Sequence, residues 1–179
     1  MNHYVRAIFL DSGDTIVDEG TEIKDAQAVV QRAELIPGAT QMVEGIKARG
    51  YPLALVADGP IGTFQNVLTH HKLYHYFDAM AISGAIGAEK PDARMFHHAL
   101  AQLQIDPADY NRVVMVGNNL ERDIKGANAL GLITVWLDWA PRRSKVPADA
   151  SEVPHYTIKT PDALLALLDQ IEREQQETT

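Results

Sequence analysis

The sequence predicts an α/β fold, a mostly parallel β-sheet with helices on both faces. Three observations lead there. Apolar runs of strand length alternate with segments of helical periodicity along the chain, the pattern of successive strand–helix–strand units. Runs such as Pro52–Ala57 (PLALVA) are almost continuously apolar, as strands covered on both faces are. Polar residues that no core requires follow four of the strands, where sheets of this kind gather their chemistry.

Each element follows from its local pattern. Tyr4–Leu10 is a short apolar run broken by one arginine. Glu22–Glu34 is long enough for one short helix. Ala39–Arg49 carries Met42, Val43 and Ile46 at helical spacing and stops at Gly50, a C-terminal signal. Pro52–Ala57 is a strand, Ile61–Leu73 a helix and Phe77–Ile82 a strand. Asp92–Leu103 puts Met95, Phe96, Ala99, Leu100 and Leu103 on one stripe, as an amphipathic helix does. Arg112–Val116 is a strand, Leu120–Leu130 a helix and Leu132–Leu137 a strand. Ser144–Pro154 is a polar loop with two prolines, and Pro161–Glu174 is a closing helix rich in leucine. The small residues of GANALG point to close helix–sheet packing.

Composition bounds the function. The chain has 179 residues, within the roughly 100–200 of one domain, so residues 1–179 read as a single domain. At 46% hydrophobic residues it can bury a core. Sixteen basic against 24 acidic residues leave a formal charge of −8. That balance disfavours non-specific nucleic-acid binding and anionic membrane surfaces as partners. With no cysteine, disulfide scaffolds, cysteine zinc sites and thiol nucleophiles are excluded. No apolar run has the length of about 18 residues that a membrane helix needs. The start, MNHYVRAIFLD, reads as a first strand rather than a signal peptide, so the expected location is the cytoplasm.

The strand ends carry the chemistry. The first run ends in Leu10-Asp11-Ser12-Gly13-Asp14-Thr15, the second in Ala57-Asp58-Gly59. The third is followed by Gly87-Ala88-Glu89-Lys90-Pro91, and the fourth ends in Gly117-Asn118-Asn119, with Asp123 shortly after. In a parallel sheet these ends converge. Carboxylates and an amide can hold a hard cation through oxygen, a lysine can neutralise phosphate, and backbone N–H groups of glycine turns can cradle an anion. Any one Asp at a strand end also serves as a helix N-cap. The four ends in order favour a shared site.

These residues, with the connecting phrases IPGATQMVEGIKARGYPLALVADG, LYHYFDAMAISGAIGAEKPDARMFHHAL and VVMVGNNLERDIKGANALGLITVWL, resemble the haloacid dehalogenase-like (HAD) hydrolase superfamily over residues 4–140. The resemblance implies a Rossmann-like sheet, an aspartate nucleophile that forms a covalent intermediate and, in most members, Mg²⁺-dependent phosphatase chemistry. It makes Asp11 the nucleophile and Lys90 the lysine that stabilises it and the transferring group. Ser12, Asp58, Gly59 and Lys90 would meet the phosphoryl group. Asp11, the Gly13 main-chain carbonyl, Asn118 and Asp123 would hold Mg²⁺.

Three positions depart from the family pattern. Phosphatases of the family read D-x-D, the second Asp being the general acid; here that position is Gly13, and Asp14 is one residue too far along. General acid catalysis contributes typically 10²–10⁴-fold. The fourth motif opens Gly117-Asn118 in place of Gly-Asp, which weakens the cation site by one charge. The second motif ends in Asp58 in place of Thr or Ser; beside Asp11 this carboxyl could retain a proton and serve as the missing acid. The segments after the first motif and after the third strand are too short for a substantial cap domain. An open site suits a phosphorylated small molecule or macromolecule, or a second subunit of a homo-oligomer that closes it.

Other features have plainer readings. His71 and His75 stand four apart on a helical pattern, but no third ligand has zinc spacing. Trp136, Trp139, Arg142 and Arg143 could rim the crevice, although a surface loop over the sheet edge is the simpler reading. The leading expectation is a HAD-like phosphomonoester hydrolase of low activity. The alternatives are a HAD-fold binding or regulatory protein with impaired chemistry and a dehalogenase, the latter disfavoured by the missing cap.

Overall fold

The computed structural model describes residues 3–177. Along the chain run β1 (Ala7–Leu10), β2 (Ile23–Lys24), β3 (Val30–Arg32), α1 (Ala39–Ala48), β4 (Leu53–Ala57), α2 (Ile61–His70) and β5 (Ala79–Ile82). There follow α3 (Ser83–Ile86), α4 (Ala93–Gln102), β6 (Val113–Gly117), α5 (Lys125–Ala129), β7 (Ile133–Leu137), β8 (Tyr156–Ile158) and α6 (Ala163–Glu177). Six strands form one sheet in the order β5-β4-β1-β6-β7-β8, and every neighbouring pair is parallel.

The chain runs outward from β1 through β4 to β5, then returns to the other side of β1 and continues through β6, β7 and β8. The reversal places a topological switch point between β1 and β6, where a crevice opens beyond the strand ends.

Alternation along the strands divides the core in two. Ile8 and Leu10 join Leu53, Leu55, Val114 and Val116 on one face, with Met42, Val43 and Ile46 of α1, Val67 and Leu68 of α2, and Leu164 and Leu168 of α6. Ala7 and Phe9 join Ala54, Val56 and Met115 on the other, with Met95, Phe96 and Leu100 of α4 and Ala127 of α5. Gly126 allows α5 to approach α4: a Cβ there would lie 2.4 Å from Phe96 Cε2 and 3.1 Å from Pro91 Cα. Gly126 thus serves helix–helix contact, while Ala127 packs into the core on the sheet face as expected.

The helix expected over Glu22–Glu34 is an antiparallel hairpin, β2 with β3. Its turn is built on Asp25, whose Oδ1 accepts hydrogen bonds from Gln27 N–H and Val29 N–H, while Ala28 takes a left-handed φ of 61°. Such side-chain-to-backbone bonds offer the chain an alternative to helix. The hairpin docks on α2: Val30 N–H donates to Thr63 Oγ1, and Asn66 Nδ2 donates to the Val30 carbonyl. Three other elements depart from the pattern reading. Leu120–Ile124 opens the fourth-motif helix as a π-helical turn, α3 inserts a short turn after β5, and β8 adds a sixth strand beyond the polar loop.

Candidate active site

β1 ends at Leu10, and Asp11 N–H still donates to the Val116 carbonyl of β6, so the sheet fixes Asp11 at the switch point. The chain then turns sharply. The Ser12 carbonyl accepts from the N–H groups of Thr15, Ile16 and Val17, and Asp14 adopts a left-handed φ of 50°. The turn carries Ser12 and Gly13 over the end of the sheet.

A buried charge cluster stands beneath this turn. Lys90 Nζ lies 2.6 Å from Asp11 Oδ1, 2.7 Å from Asp123 Oδ1 and 2.8 Å from the Val56 carbonyl. Asp123 Oδ2 accepts from Asn119 N–H at 3.0 Å. Its Oδ1 receives no hydrogen bond of acceptable angle, so its contact with Lys90 is ionic. Asp123 packs so closely on β6 that a Cβ on Gly117 would fall 2.2 Å from its Oδ2; glycine at 117 makes that approach possible.

Two carboxylates face one ammonium here, and the excess negative charge shows in the acidities. Burial, followed by the charge of Asp123, pushes Asp11 up to about 7 against the opposing pull of Lys90. Burial works against the Lys90 charge, but Asp11 and Asp123 outweigh it and hold the ammonium above the ordinary lysine range.

Asn118 is buried, with its side-chain Nδ2 lacking any acceptor among the described residues. Its main-chain carbonyl accepts from Trp136 Nε1–H at 3.0 Å, which assigns Trp136 to holding the fourth-motif strand end. Asn119 caps the π-turn by accepting from Glu121 N–H and Arg122 N–H.

Asp58 is not the partner expected for Asp11. Its Oδ1 accepts from Lys90 N–H at 3.0 Å and its Oδ2 from Arg122 Nη1 at 3.2 Å; the carboxylate that raises Asp11 is Asp123. Both Asp58 oxygens act as acceptors, and one of them fixes the Lys90 main chain. Gly59, expected to offer its N–H to a phosphoryl group, donates it to Ser83 Oγ at 2.8 Å. Gly59 lends the crevice a left-handed backbone conformation (φ 146°), and a Cβ there would press on the Phe64 ring at 3.3 Å.

The residue that pattern reading missed is Glu19. An ideal Cβ on Gly13 would lie 2.1 Å from Glu19 Oε1 and 2.8 Å from its Cδ. The Glu19 carboxyl group therefore fills the place of a side chain at position 13. Glu19 N–H donates to Asp14 Oδ1, and Arg143 Nη2 holds Glu19 Oε2 at 3.2 Å. Burial, then the charge of Asp14, raises the pKa of Glu19, against the pull of Arg143. Asp14, fully buried, binds Arg142 through both oxygens at 2.9 Å, and Arg142 also pairs with Asp18. The Trp-Ala-Pro-Arg-Arg segment is thus a clamp on the first-motif loop, not a detached surface loop. The sequence signal was the acidic run Asp14, Asp18, Glu19 beside a glycine where an acid is usual. Arg122, adjacent to Asp123 in sequence, was missed as well.

Two adjoining depressions result. A polar one of about 100 Å³ is lined by Asp11, Ser12, Glu19, Lys90, Asn118 and Asp123, among others. A larger one of about 280 Å³ lies under the hairpin, between Val17, Glu22, Lys24, Val30, Phe64 and Arg143. Ser12, Gly13, Glu19, Asp58 and Arg143 line both. The histidines lie elsewhere: His71 Nε2 bonds the Ala33 carbonyl and His75 stacks on Tyr76.

The metal reading can be tested on these side chains. No group of three or more His, Asp or Glu side chains converges among the described residues. Two carboxylates with one balancing ammonium do converge, with a buried Asp123 oxygen that receives no hydrogen bond and the Asn118 side chain lining the same depression. Oxygen donors with a net negative charge suit a hard divalent cation, so the residues fit Mg²⁺, with fewer charges than a three-carboxylate site.

Comparison with known proteins bears on the same residues. Residues 2–131 match the family described as haloacid dehalogenase-like hydrolase. The chain is 34% identical over 128 residues to phosphoserine phosphatase of Thermus thermophilus, covering 72% of this chain and 49% of that protein. It is 36% identical over 121 residues to N-acylneuraminate-9-phosphatase of Mus musculus, covering 67% and 46% respectively. The chain spans about half the length of the curated relatives it matches. A HAD phosphatase from Thermococcus onnurineus superposes with a TM-score of 0.74 over 92% of this chain and 98% of that one; at 18% identity this speaks for the fold alone. With the strand order, the Asp11–Lys90–Asp123 cluster at the switch point and a matching stretch of 130 residues, this chain belongs to the haloacid dehalogenase-like hydrolase family.

Proposed function

We propose that the protein is a phosphomonoester hydrolase in which Asp11 is the nucleophile. The observation that carries this reading is the buried ion cluster: Lys90 binds one oxygen of Asp11 at 2.6 Å and holds the carboxylate at the floor of an open polar depression. The names of several similar proteins, phosphoserine phosphatase, glyceraldehyde 3-phosphate phosphatase and N-acylneuraminate-9-phosphatase, support it.

In this reading a carboxylate oxygen of Asp11 attacks phosphorus in line and the bond to the leaving oxygen breaks. An aspartyl phosphate results, which water then hydrolyses at phosphorus, returning Asp11 as a carboxylate. Lys90 stabilises the charge on the transferring group. Ser12 and Lys90, which line the same depression, would contact the phosphoryl oxygens. Asp58 anchors the Lys90 main chain from the same wall, and Arg122 offsets its charge toward a phosphate. Asp11, the Gly13 carbonyl, Asn118 and Asp123 would hold Mg²⁺. When bound, the ion would supply charge neutralisation to the phosphoryl group.

The larger depression suits the organic part of a small ester, with Val17, Val30, Phe64 and Val67 giving it an apolar wall and Lys24 and Arg143 a charged rim. The test is turnover of p-nitrophenyl phosphate in Mg²⁺. Asp11→Asn should abolish it; equal activity in wild type and variant would assign the activity to another site and leave the binding-protein reading in front.

A further inference from the structure

We infer that Glu19 supplies the proton transfer that the glycine at position 13 cannot, so that the acid/base group of this site comes from the loop that follows the first motif. The inference rests on the phosphohydrolase reading above and concerns only which side chain handles the proton.

Three observations carry it. The first is coincidence in space. Glu19 Oε1 lies 2.1 Å from where a Cβ on residue 13 would stand, with Cδ at 2.8 Å and Cγ at 2.9 Å. In this conformation the carboxyl of Glu19 occupies the space that a side chain at 13 would enter; the chain has one carboxyl there, and it arrives from position 19. The second is how firmly it is held. Asp14 Oδ1 accepts Glu19 N–H at 3.1 Å, and Arg143 Nη2 holds Oε2 at 3.2 Å. Asp18 caps the turn by accepting Gly20 N–H. No hydrogen bond is made to Oε1 among the described residues, and Glu19 lines the depression that also holds Asp11 and Lys90. The third is elimination. Asp14 is fully buried and doubly bonded to Arg142. Both oxygens of Asp58 already accept hydrogen bonds. Asp123 lies behind Lys90 and the Asn119 amide. Glu19 alone among these carboxyls presents an unengaged oxygen to the crevice.

The step balances simply. As Asp11 bonds to phosphorus and the bond to the ester oxygen breaks, the Glu19 carboxylic acid gives its proton to that oxygen, releasing the alcohol and leaving Glu19 a carboxylate. When water attacks the aspartyl phosphate, Glu19 takes a proton from it. The phosphorus bond to Asp11 breaks and inorganic phosphate leaves. Asp11 and Glu19 end as they began, and one water is consumed per ester.

The test compares two esters by kcat/KM, which reports bond breaking at the first step. Glycerol phosphate has a poor leaving group and needs the proton; p-nitrophenyl phosphate needs it little. Glu19→Gln keeps the shape and removes the acid. It should lower kcat/KM for glycerol phosphate by about 10²-fold or more, in the range general acids supply, and for p-nitrophenyl phosphate by about tenfold or less. Gly13→Asp in a Glu19→Ala background, where the space is free, should restore most of the glycerol phosphate activity that Glu19→Ala alone loses. Equal losses on both esters, no loss on either, or a double variant no better than Glu19→Ala would overturn the inference. Asp11→Asn separates the two readings. If it abolishes turnover while Glu19→Gln changes nothing, only the role of Glu19 falls. If it leaves turnover intact, or if the wild type turns over neither ester, the hydrolase reading falls and this one with it.

Discussion

Replacing Lys90 by methionine tests the energetic core of the site. The ammonium is buried and contacts Asp11, Asp123 and the Val56 carbonyl at 2.6–2.8 Å. Methionine fills similar volume but leaves two carboxyl groups facing each other under the first-motif turn. Removing one partner of a buried ion pair costs about 3–5 kcal/mol. For a chain of this size each kcal/mol moves the thermal midpoint by about 2–4 °C. A fall of about 6–20 °C is therefore expected for Lys90→Met. The deficit should grow with pH. Asp11 titrates near 7 in the folded chain, above its unfolded value of 3.8. A carboxyl raised on folding gives up stability as pH rises through its folded value, and losing Lys90 raises it further. Melting of wild type and variant at pH 5 and pH 8 reads both effects, with the larger gap at pH 8. A second substitution, Asp123→Asn, removes the remaining repulsion and should recover part of the loss. A Lys90→Met protein as stable as wild type at both pH values would refute the cluster as described.

Two further outcomes concern the cation. Asn118→Asp adds a charge at the end of β6, so calorimetry should show tighter Mg²⁺ binding and a higher thermal midpoint in Mg²⁺ than for wild type, in line with ligand-linked stability; identical affinities would remove position 118 from the cation site. Because Asp11 is raised to about 7 and a ligand carboxyl must lose its proton to bind, Mg²⁺ affinity should be lower at pH 6 than at pH 8, with proton release on binding below pH 7. Affinity independent of pH over this range would show that Asp11 is not a ligand.

Much of the site is legible in the sequence. Asp11, Asp58 and Asn118 each follow an apolar run, and a parallel sheet brings such ends together whatever the loops do. Lys90 and Asp123 stand in connecting segments of ordinary length, so their arrival beside Asp11 needed only the strand order. Glu19 was not legible in this way. It reaches Gly13 because the Ser12 carbonyl closes a tight turn and Asp14 takes a left-handed conformation, features set by tertiary hydrogen bonds and not by periodicity. The same holds for Arg142 and Arg143, which span more than a hundred residues of sequence to clamp that loop.

The hairpin was misread for a related reason. Glu22–Glu34 has the length of a short helix, but the Asp25 turn and the bonds from Val30 to α2 make it a hairpin. β8 is only three residues long, too short for its alternation to stand out. Its place is set by pairing with β7.

The most direct measurement is chemical trapping of the intermediate. The wild-type protein is mixed with p-nitrophenyl phosphate and Mg²⁺, quenched in acid during turnover, cleaved and mapped by mass spectrometry. The account predicts a phosphoryl group on the peptide containing Asp11, labile to hydroxylamine as an acyl phosphate is, and none in Asp11→Asn. A stable phosphoryl group on another residue, or turnover that persists in Asp11→Asn, would contradict it.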